Sequence, residues 1–99
     1  MSNRPSRFHP EARKEFREAT RWYRDRSPVA PTEFRSAVRA AVREIVRAPE
    51  RPPKYLYGTR RLVMQRFPFS IVYLDDPDSI TIVAVAHSER RPGYWKQRL

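Results

Sequence analysis

Cysteine is absent from this 99-residue chain, and histidine occurs only twice. Without thiols the chain can form no disulfide, thiolate nucleophile or cysteine zinc site. His9 and His87 are the only imidazoles, and two are too few to make up the usual ligand set of a metal site. We therefore expect neither a metal nor a cofactor. No segment approaches the ~20 apolar residues that span a bilayer, and the N-terminus lacks an apolar signal core. These absences predict a cytoplasmic protein with no membrane partner.

Acidic residues are few compared with basic ones. Asp and Glu number 11 against 21 Lys and Arg, which gives a net charge of +10. Such an excess attracts polyanions, including nucleic acid and acidic proteins, but does not choose among them. The hydrophobic fraction of 39% is sufficient for a packed interior. We expect a single domain over residues 1–99, with a basic aromatic tail at about 90–99.

Apolar residues at helical spacing predict two helices in the first half of the chain. The first helix is expected from Pro10 to Arg26 and the second from about Pro31 to Ala48, with Pro28 in the breaker between them. Because the linker is short, the helices should form an antiparallel pair. The apolar stripes are Ala12, Phe16, Ala19 and Tyr23 in the first helix and Phe34, Val38, Ala41 and Ile45 in the second.

The second half of the chain predicts strands. Three segments rich in β-branched and aromatic residues, at roughly 60–67, 69–75 and 79–87, read as an antiparallel meander, and Arg7 to His9 adds an edge strand. The predicted fold is α+β, a helical hairpin packed on a small antiparallel sheet in the order β-α-α-β-β-β. Because the last strand is apolar on both faces, its second face should be covered by a partner or by the C-terminal tail.

Four strings in chain order carry a resemblance to a known family. They are FHPEARKEF with Trp22-Tyr23, then IVRAPERPP, then YGTRRLVMQRFPFSIVY, and finally ITIVAVAHSERRPGYWKQR. Together they resemble the RelE/ParE toxins of bacterial type II toxin–antitoxin modules, often labelled plasmid-stabilisation proteins. The last string is the most specific, because a hydrophobic strand runs into His87 and is followed by Arg90 and Tyr94. The resemblance covers nearly the whole chain.

The resemblance implies a growth-inhibiting toxin that is neutralised by a cognate acidic antitoxin, whose C-terminal segment wraps it. In this family RelE-like members are ribosome-dependent mRNA endoribonucleases, whereas ParE-like members inhibit DNA gyrase without a hydrolytic site of their own. The strings GTRRLVMQRFPFSIVY and HSERRPGYW are more similar to ParE-like members, so DNA gyrase is the preferred target. The ribosome and its message are the alternative. A non-toxic basic module that binds nucleic acid is a further alternative.

Four residues are the predicted catalytic set if the chain is an enzyme, which would then be a ribosome-dependent endoribonuclease. The resemblance implies that Arg61 contacts phosphate, and that His87, Arg90 and Tyr94 supply an acid, a cation and a base-stacking ring. Arg61 and His87 could converge at one rim of the sheet. Glu44 and Glu50 are weak candidates for the general base that RNA cleavage needs. The non-catalytic alternative is that His87 caps a strand and that Arg61 is solvated or pairs with the antitoxin.

Basic residues form a second predicted site, for contact with antitoxin or nucleic acid. Arginines recur every four residues along the second helix, so they form one ridge of like charges that repel one another. An anionic partner would reduce this repulsion, although a solvated helix face is the commoner explanation of such a ridge. In the tail, Trp95 could stack bases or fold back on the sheet. The predicted contact residues are Arg35, Arg39, Arg43, Arg47, Arg91 and Trp95.

Overall fold

The computed structural model describes residues 4–99, and its elements follow the predicted order. The elements are β1 (Ser6–Phe8), α1 (Pro10–Arg24), α2 (Ala30–Arg47), β2 (Arg60–Val63), β3 (Phe69–Asp75) and β4 (Ile80–His87), with short 3-10 turns at Leu56–Gly58 and Lys96–Arg98. The predicted α+β class, with two helices packed on a small sheet, is confirmed. No helix within residues 4–99 combines the length and the apolar character that a membrane span requires.

Local side-chain bonds set where the two helices begin. The Nδ1 atom of His9 accepts a hydrogen bond from the Glu11 N–H at 3.1 Å, and Pro10 occupies the first position of α1, where its missing N–H costs nothing. The hydroxyl of Ser27 accepts from the N–H groups of Val29 and Ala30, at 3.2 and 3.3 Å. These bonds satisfy donors that have no partner inside a helix.

The sheet has the order β1-β4-β3-β2 and is mixed. Strands β2, β3 and β4 form the predicted antiparallel meander, but β1 pairs with β4 in parallel, with Phe8 opposite Ile82. The prediction of a purely antiparallel sheet is therefore wrong for β1. A parallel neighbour needs a long crossover, and here the helices, β2 and β3 all intervene between β1 and β4.

The main core lies between the helices and one face of the sheet. The predicted helix stripes supply Phe34, Val38 and Ile45, which are fully buried against Ile71 and Ile82 of the sheet. Phe34 also lies among the rings of other aromatic residues, with centroids 5.1–5.9 Å apart. Tyr73 is buried here as well, and its hydroxyl donates to the Pro49 carbonyl at 2.6 Å. A buried hydroxyl needs such a partner.

The C-terminal tail covers the second face of the sheet. Trp95 is only 1% exposed and packs with Val72, Val83 and Ala84 as a second, smaller core. Gly93, at φ +83°, provides the left-handed turn that directs the tail back across the strands. Of the two covers considered from the sequence, the tail is the one present. The second apolar face of the sheet is therefore covered by the protein's own chain.

Candidate functional site

The tail is held by Glu15 of α1, which no pattern in the sequence indicates. Its carboxylate accepts a bidentate pair of bonds from the Arg98 guanidinium, both at 2.9 Å, and a 2.6 Å bond from the Tyr94 hydroxyl. It also accepts from the backbone N–H of Val85 in β4, at 3.0 Å. Arg98 in turn donates to the Val83 carbonyl at 3.0 Å. We call Glu15, Tyr94 and Arg98 the tail clamp.

Arg61 lies on the face of the sheet that the tail covers. The strand register sets it opposite Val72, which is itself opposite Ala84. Its guanidinium lies over the Tyr55 ring at 4.1 Å, a cation–π contact. The Nε atom of Arg61 is buried and has no hydrogen-bond partner within residues 4–99. Arg61 thus keeps hydrogen-bonding capacity for an anion.

His87 lies on the other face of the sheet. It is opposite Phe69 in the register, and its ring meets the Phe69 ring edge-on at 5.0 Å between centroids. The Nδ1 atom of His87 accepts from the Glu89 N–H at 3.1 Å. This bond caps the end of β4, which is the role that the non-catalytic alternative gives to His87. The side chains of Arg61 and His87 therefore leave β2 and β4 toward opposite faces.

Arg90 and Tyr94 lie together beside these two residues. The Arg90 guanidinium stacks over the Tyr94 ring at 3.8 Å. Burial, and next the hydrogen bond to the Glu15 carboxylate, raise the pKa of the Tyr94 phenol well above its ordinary value. The phenol is thus a proton donor to Glu15 that does not ionise at neutral pH. Its ring serves as a platform for a guanidinium.

A small pocket of about 70 Å³ is the place where these residues come closest to a common site. Its lining includes Arg61, His87, Arg90 and Arg91, together with the hydroxyl-bearing Ser70 and Ser88, and contains no carboxylate. Such a lining can hold an anion. It has no carboxylate to act as a general base, since Glu44 lines a different cavity and Glu50 is exposed on the loop after α2.

A broad groove of about 650 Å³ separates α2 from β2. Small side chains of α2, among them Ala37 and Ala41, form one wall, and Leu62 and Met64 contribute to the other. Val63 is 52% exposed at the sheet edge. Because the Met64 N–H bonds to β3, strand alternation directs the Val63 N–H away from β3. Arg51, Arg61 and Arg66 also line this groove with one carboxylate, that of Glu44, so the ionisable residues in its lining carry a net positive charge.

The predicted contact residues divide into two groups. The four arginines of α2 are exposed, and within residues 4–99 none of their side chains forms an ion pair or hydrogen bond. Arg91 is exposed at the small pocket. Trp95 instead belongs to the core, so it has no free surface for an antitoxin or a nucleic acid, and we remove it from the contact set.

Comparison with known proteins agrees with this architecture. Residues 7–92 match the family model described as the ParE toxin of the type II toxin–antitoxin system parDE. A solved structure titled as the chromosomal ParDE TA system from P. aeruginosa is similar in fold, with a TM-score of 0.76 at 16% identity over 87% of this chain and 97% of that chain. A search of the curated proteins found no match. The chain belongs to the ParE toxin family of type II toxin–antitoxin systems.

Proposed function

We propose that this chain inhibits DNA gyrase and is neutralised by an acidic segment of a cognate antitoxin. The observation that carries the choice of gyrase is the separation of the predicted catalytic residues. Cleaving RNA at its 2′-hydroxyl needs a base, an acid and cations around one phosphate. Here Arg61 and His87 point to opposite faces of the sheet, and the Tyr94 hydroxyl is bonded to Glu15. The arrangement favours binding over acid–base catalysis.

The groove between α2 and β2 supports the antitoxin part of the proposal. A protein interface needs an apolar centre, and the groove offers one between Ala41 and Leu62. The groove also offers the outward N–H of Val63, and Arg51 suits an acidic side chain, whereas Arg66 already pairs with Glu33 at 3.0 Å. With a net charge of +10, the chain repels a second copy of itself and attracts an acidic segment.

Two assays test the proposed target. Purified chain should block supercoiling by gyrase, or trap cleaved DNA, in a mixture without ribosomes. In a translating extract it should leave messenger RNA intact. Cleavage of message only on translating ribosomes, lost in both Arg61→Ala and His87→Ala, would contradict the gyrase proposal and establish the endoribonuclease.

Growth of a bacterial host tests the toxin and antitoxin parts together. Expression should arrest growth, and co-expression of the acidic protein encoded beside this chain should restore it. Arg51→Glu should preserve the arrest but weaken the rescue, because it reverses a charge in the groove. Arg7→Glu is the matched control, since Arg7 is exposed on β1, at the opposite edge of the sheet. Soluble expression without growth arrest would contradict the toxin assignment and favour a non-toxic nucleic-acid-binding module.

A further inference from the structure

The outer surface of the helical hairpin carries two rows of arginine, one on each helix. The α2 row is the ridge predicted from the sequence, and α1 has a second row with the same spacing of four residues. All seven side chains are exposed, and within the described part of the chain none forms an ion pair or a side-chain hydrogen bond. The rows are Arg13, Arg17 and Arg21 in α1, and Arg35, Arg39, Arg43 and Arg47 in α2.

Helix geometry starts both rows beside the seam between the helices and carries them onto the outer surface of the hairpin. Each residue turns about 100° around an α-helix, so Arg13 and Arg35 begin about a quarter turn from the buried stripe of their own helix. The flank of α2 on the opposite side of its stripe lines the groove toward β2, through Ala37 and Glu44. The corresponding flank of α1 faces the end of β4, through Glu18 and Trp22. Each row therefore begins on the side that faces the other helix. Because four residues advance about 40° beyond a full turn, the rows then pass onto the outer surface, with Arg21 and Arg43 about opposite the buried stripe and Arg47 beyond it.

The carboxylates of the two helices lie on the flanks, away from the seam. In α1, Glu15 bonds to the tail and Glu18 lines the cavity at β4, and Glu11 lies near enough to Arg98 to influence its pKa. In α2, Glu33 pairs with Arg66 at 3.0 Å and Glu44 lines the groove. Positive and negative residues are thus segregated around each helix. Among the described residues, the surface along the seam presents guanidinium groups with no carboxylate between them.

This surface also has no large apolar side chain to offer a protein. The exposed large hydrophobic residues within the described chain lie in the hairpin turn, on the β4 flank of α1, near the sheet edge or in the tail, not between the two rows. A protein partner needs an apolar centre, whereas nucleic acid is bound mainly through its phosphates. The groove on the other flank of α2 is the better protein site. The surface along the seam, with its evenly spaced guanidinium groups, suits a polyanion with evenly spaced phosphates.

The geometry points to duplex DNA as the partner of the arginine rows. Arginines four residues apart rise about 6 Å per step, so the α2 row extends over roughly 18 Å, and over that length a duplex carries about ten phosphates. Because packed helix axes lie about 8–10 Å apart, arginines of both rows can contact phosphates of one duplex. The choice of DNA over RNA rests on the proposed action on gyrase, an enzyme that works on duplex DNA.

Fluorescence anisotropy with a labelled duplex of about 20 base pairs and mixed sequence tests this inference. With four to seven arginines on phosphates, log K should fall against log salt with a slope of about −3.6 to −6.3, at −0.9 per contact. Arg17→Gln/Arg39→Gln/Arg43→Gln should bind at least tenfold more weakly at 0.1 M salt, with a slope shallower by about 2.7. All three residues are exposed, so the fold should be retained.

A charge-matched variant separates the rows from the overall field. Arg7→Gln/Lys54→Gln/Lys96→Gln removes the same three charges at exposed positions outside the hairpin and should bind DNA nearly as well as the parent. Equal weakening of the two triple variants would overturn the inference, and so would tighter binding to an RNA duplex of the same length. Loss of antitoxin rescue with unchanged DNA affinity would assign the rows to the acidic partner instead. Gyrase inhibition that persists without DNA binding would refute this inference alone and leave the proposed function standing.

Discussion

Replacing Glu15 with Gln removes the charge at the centre of the tail clamp while keeping nearly the same shape. The Gln side chain could still accept from Val85 and from one guanidinium nitrogen of Arg98, but its NH₂ group would oppose the other nitrogen, 2.9 Å from Oε2 in the parent. The side chains of Glu15 and Arg98 are each only 14% exposed, so the Arg98 guanidinium would lose its negatively charged partner at a site that water solvates poorly. We expect the free energy of unfolding to fall by roughly 2–4 kcal/mol, which is less than the cost of breaking a fully buried ion pair.

Urea unfolding gives that free energy, and tryptophan emission reports on the tail. In a Trp22→Phe background Trp95 is the only tryptophan, so its emission should shift to the red and acrylamide should quench it more strongly once the clamp is broken. Glu18→Gln, one turn from the clamp on an exposed site, is the matched control and should change stability by less than about 0.5 kcal/mol. A loss below about 1 kcal/mol in Glu15→Gln, with Trp95 still shielded, would refute the clamp.

Three further substitutions test the core, the turn and the alkaline limit of the fold. Trp95→Ala should destabilise the protein by about 3–5 kcal/mol in urea unfolding, since the side chain is 1% exposed, and stability close to the parent would contradict its role as the cover. Gly93→Ala should cost about 1–3 kcal/mol, because φ is +83° and the new Cβ would lie 3.0 Å from Tyr57 Cε2; an unchanged melting temperature would show that the turn is not needed. Burial raises the pKa of Tyr73 from 10.0 to about 12, so the neutral phenol stabilises the fold fully below pH 10 and this contribution is lost as pH rises toward 12. Tyr73→Phe should therefore show a flatter fall of stability across that window, and an unaltered slope would rule out the linkage.

The helices and the meander could be predicted because each depends on local information. The stripe of Phe34, Val38 and Ile45 has helical period, Pro28 breaks the chain before it, and Pro31 lies in the first turn of the helix, where a proline is tolerated. The parallel pairing of β1 could not be predicted in the same way. Three residues carry no signal of strand direction, which is decided by how the whole chain returns to β4.

Some of the predicted site residues lie at one pocket, but their arrangement could not be predicted from the sequence. Arg61, Arg90 and His87 do border one small pocket, yet the register of β2 and β4 sends Arg61 and His87 to opposite faces. Both positions are odd-numbered, but this parity does not reveal the face of either side chain, because β3 lies between the two strands and fixes each face through a separate pairing. Trp95 was ambiguous for a different reason. An aromatic ring after Pro92-Gly93 suits either a stacking surface or a core cover, and only the tail's path decides between them.

Glu15 shows why long-range polar contacts escape sequence patterns and why this small domain needs one. Strand β1 pairs with β4 only from Ile80 to Ile82, so within residues 4–99 the rest of that edge of β4 has no neighbouring strand. Side chains take the place of a strand there: Glu15 accepts from the Val85 N–H, and Arg98 donates to the Val83 carbonyl. An uncovered edge of this kind would invite pairing with another chain. Glu15 and Arg98 also bond to each other, so the same contacts cover the edge of β4 and hold the tail in place. Loss of either residue should therefore expose both this edge and the sheet face beneath Trp95.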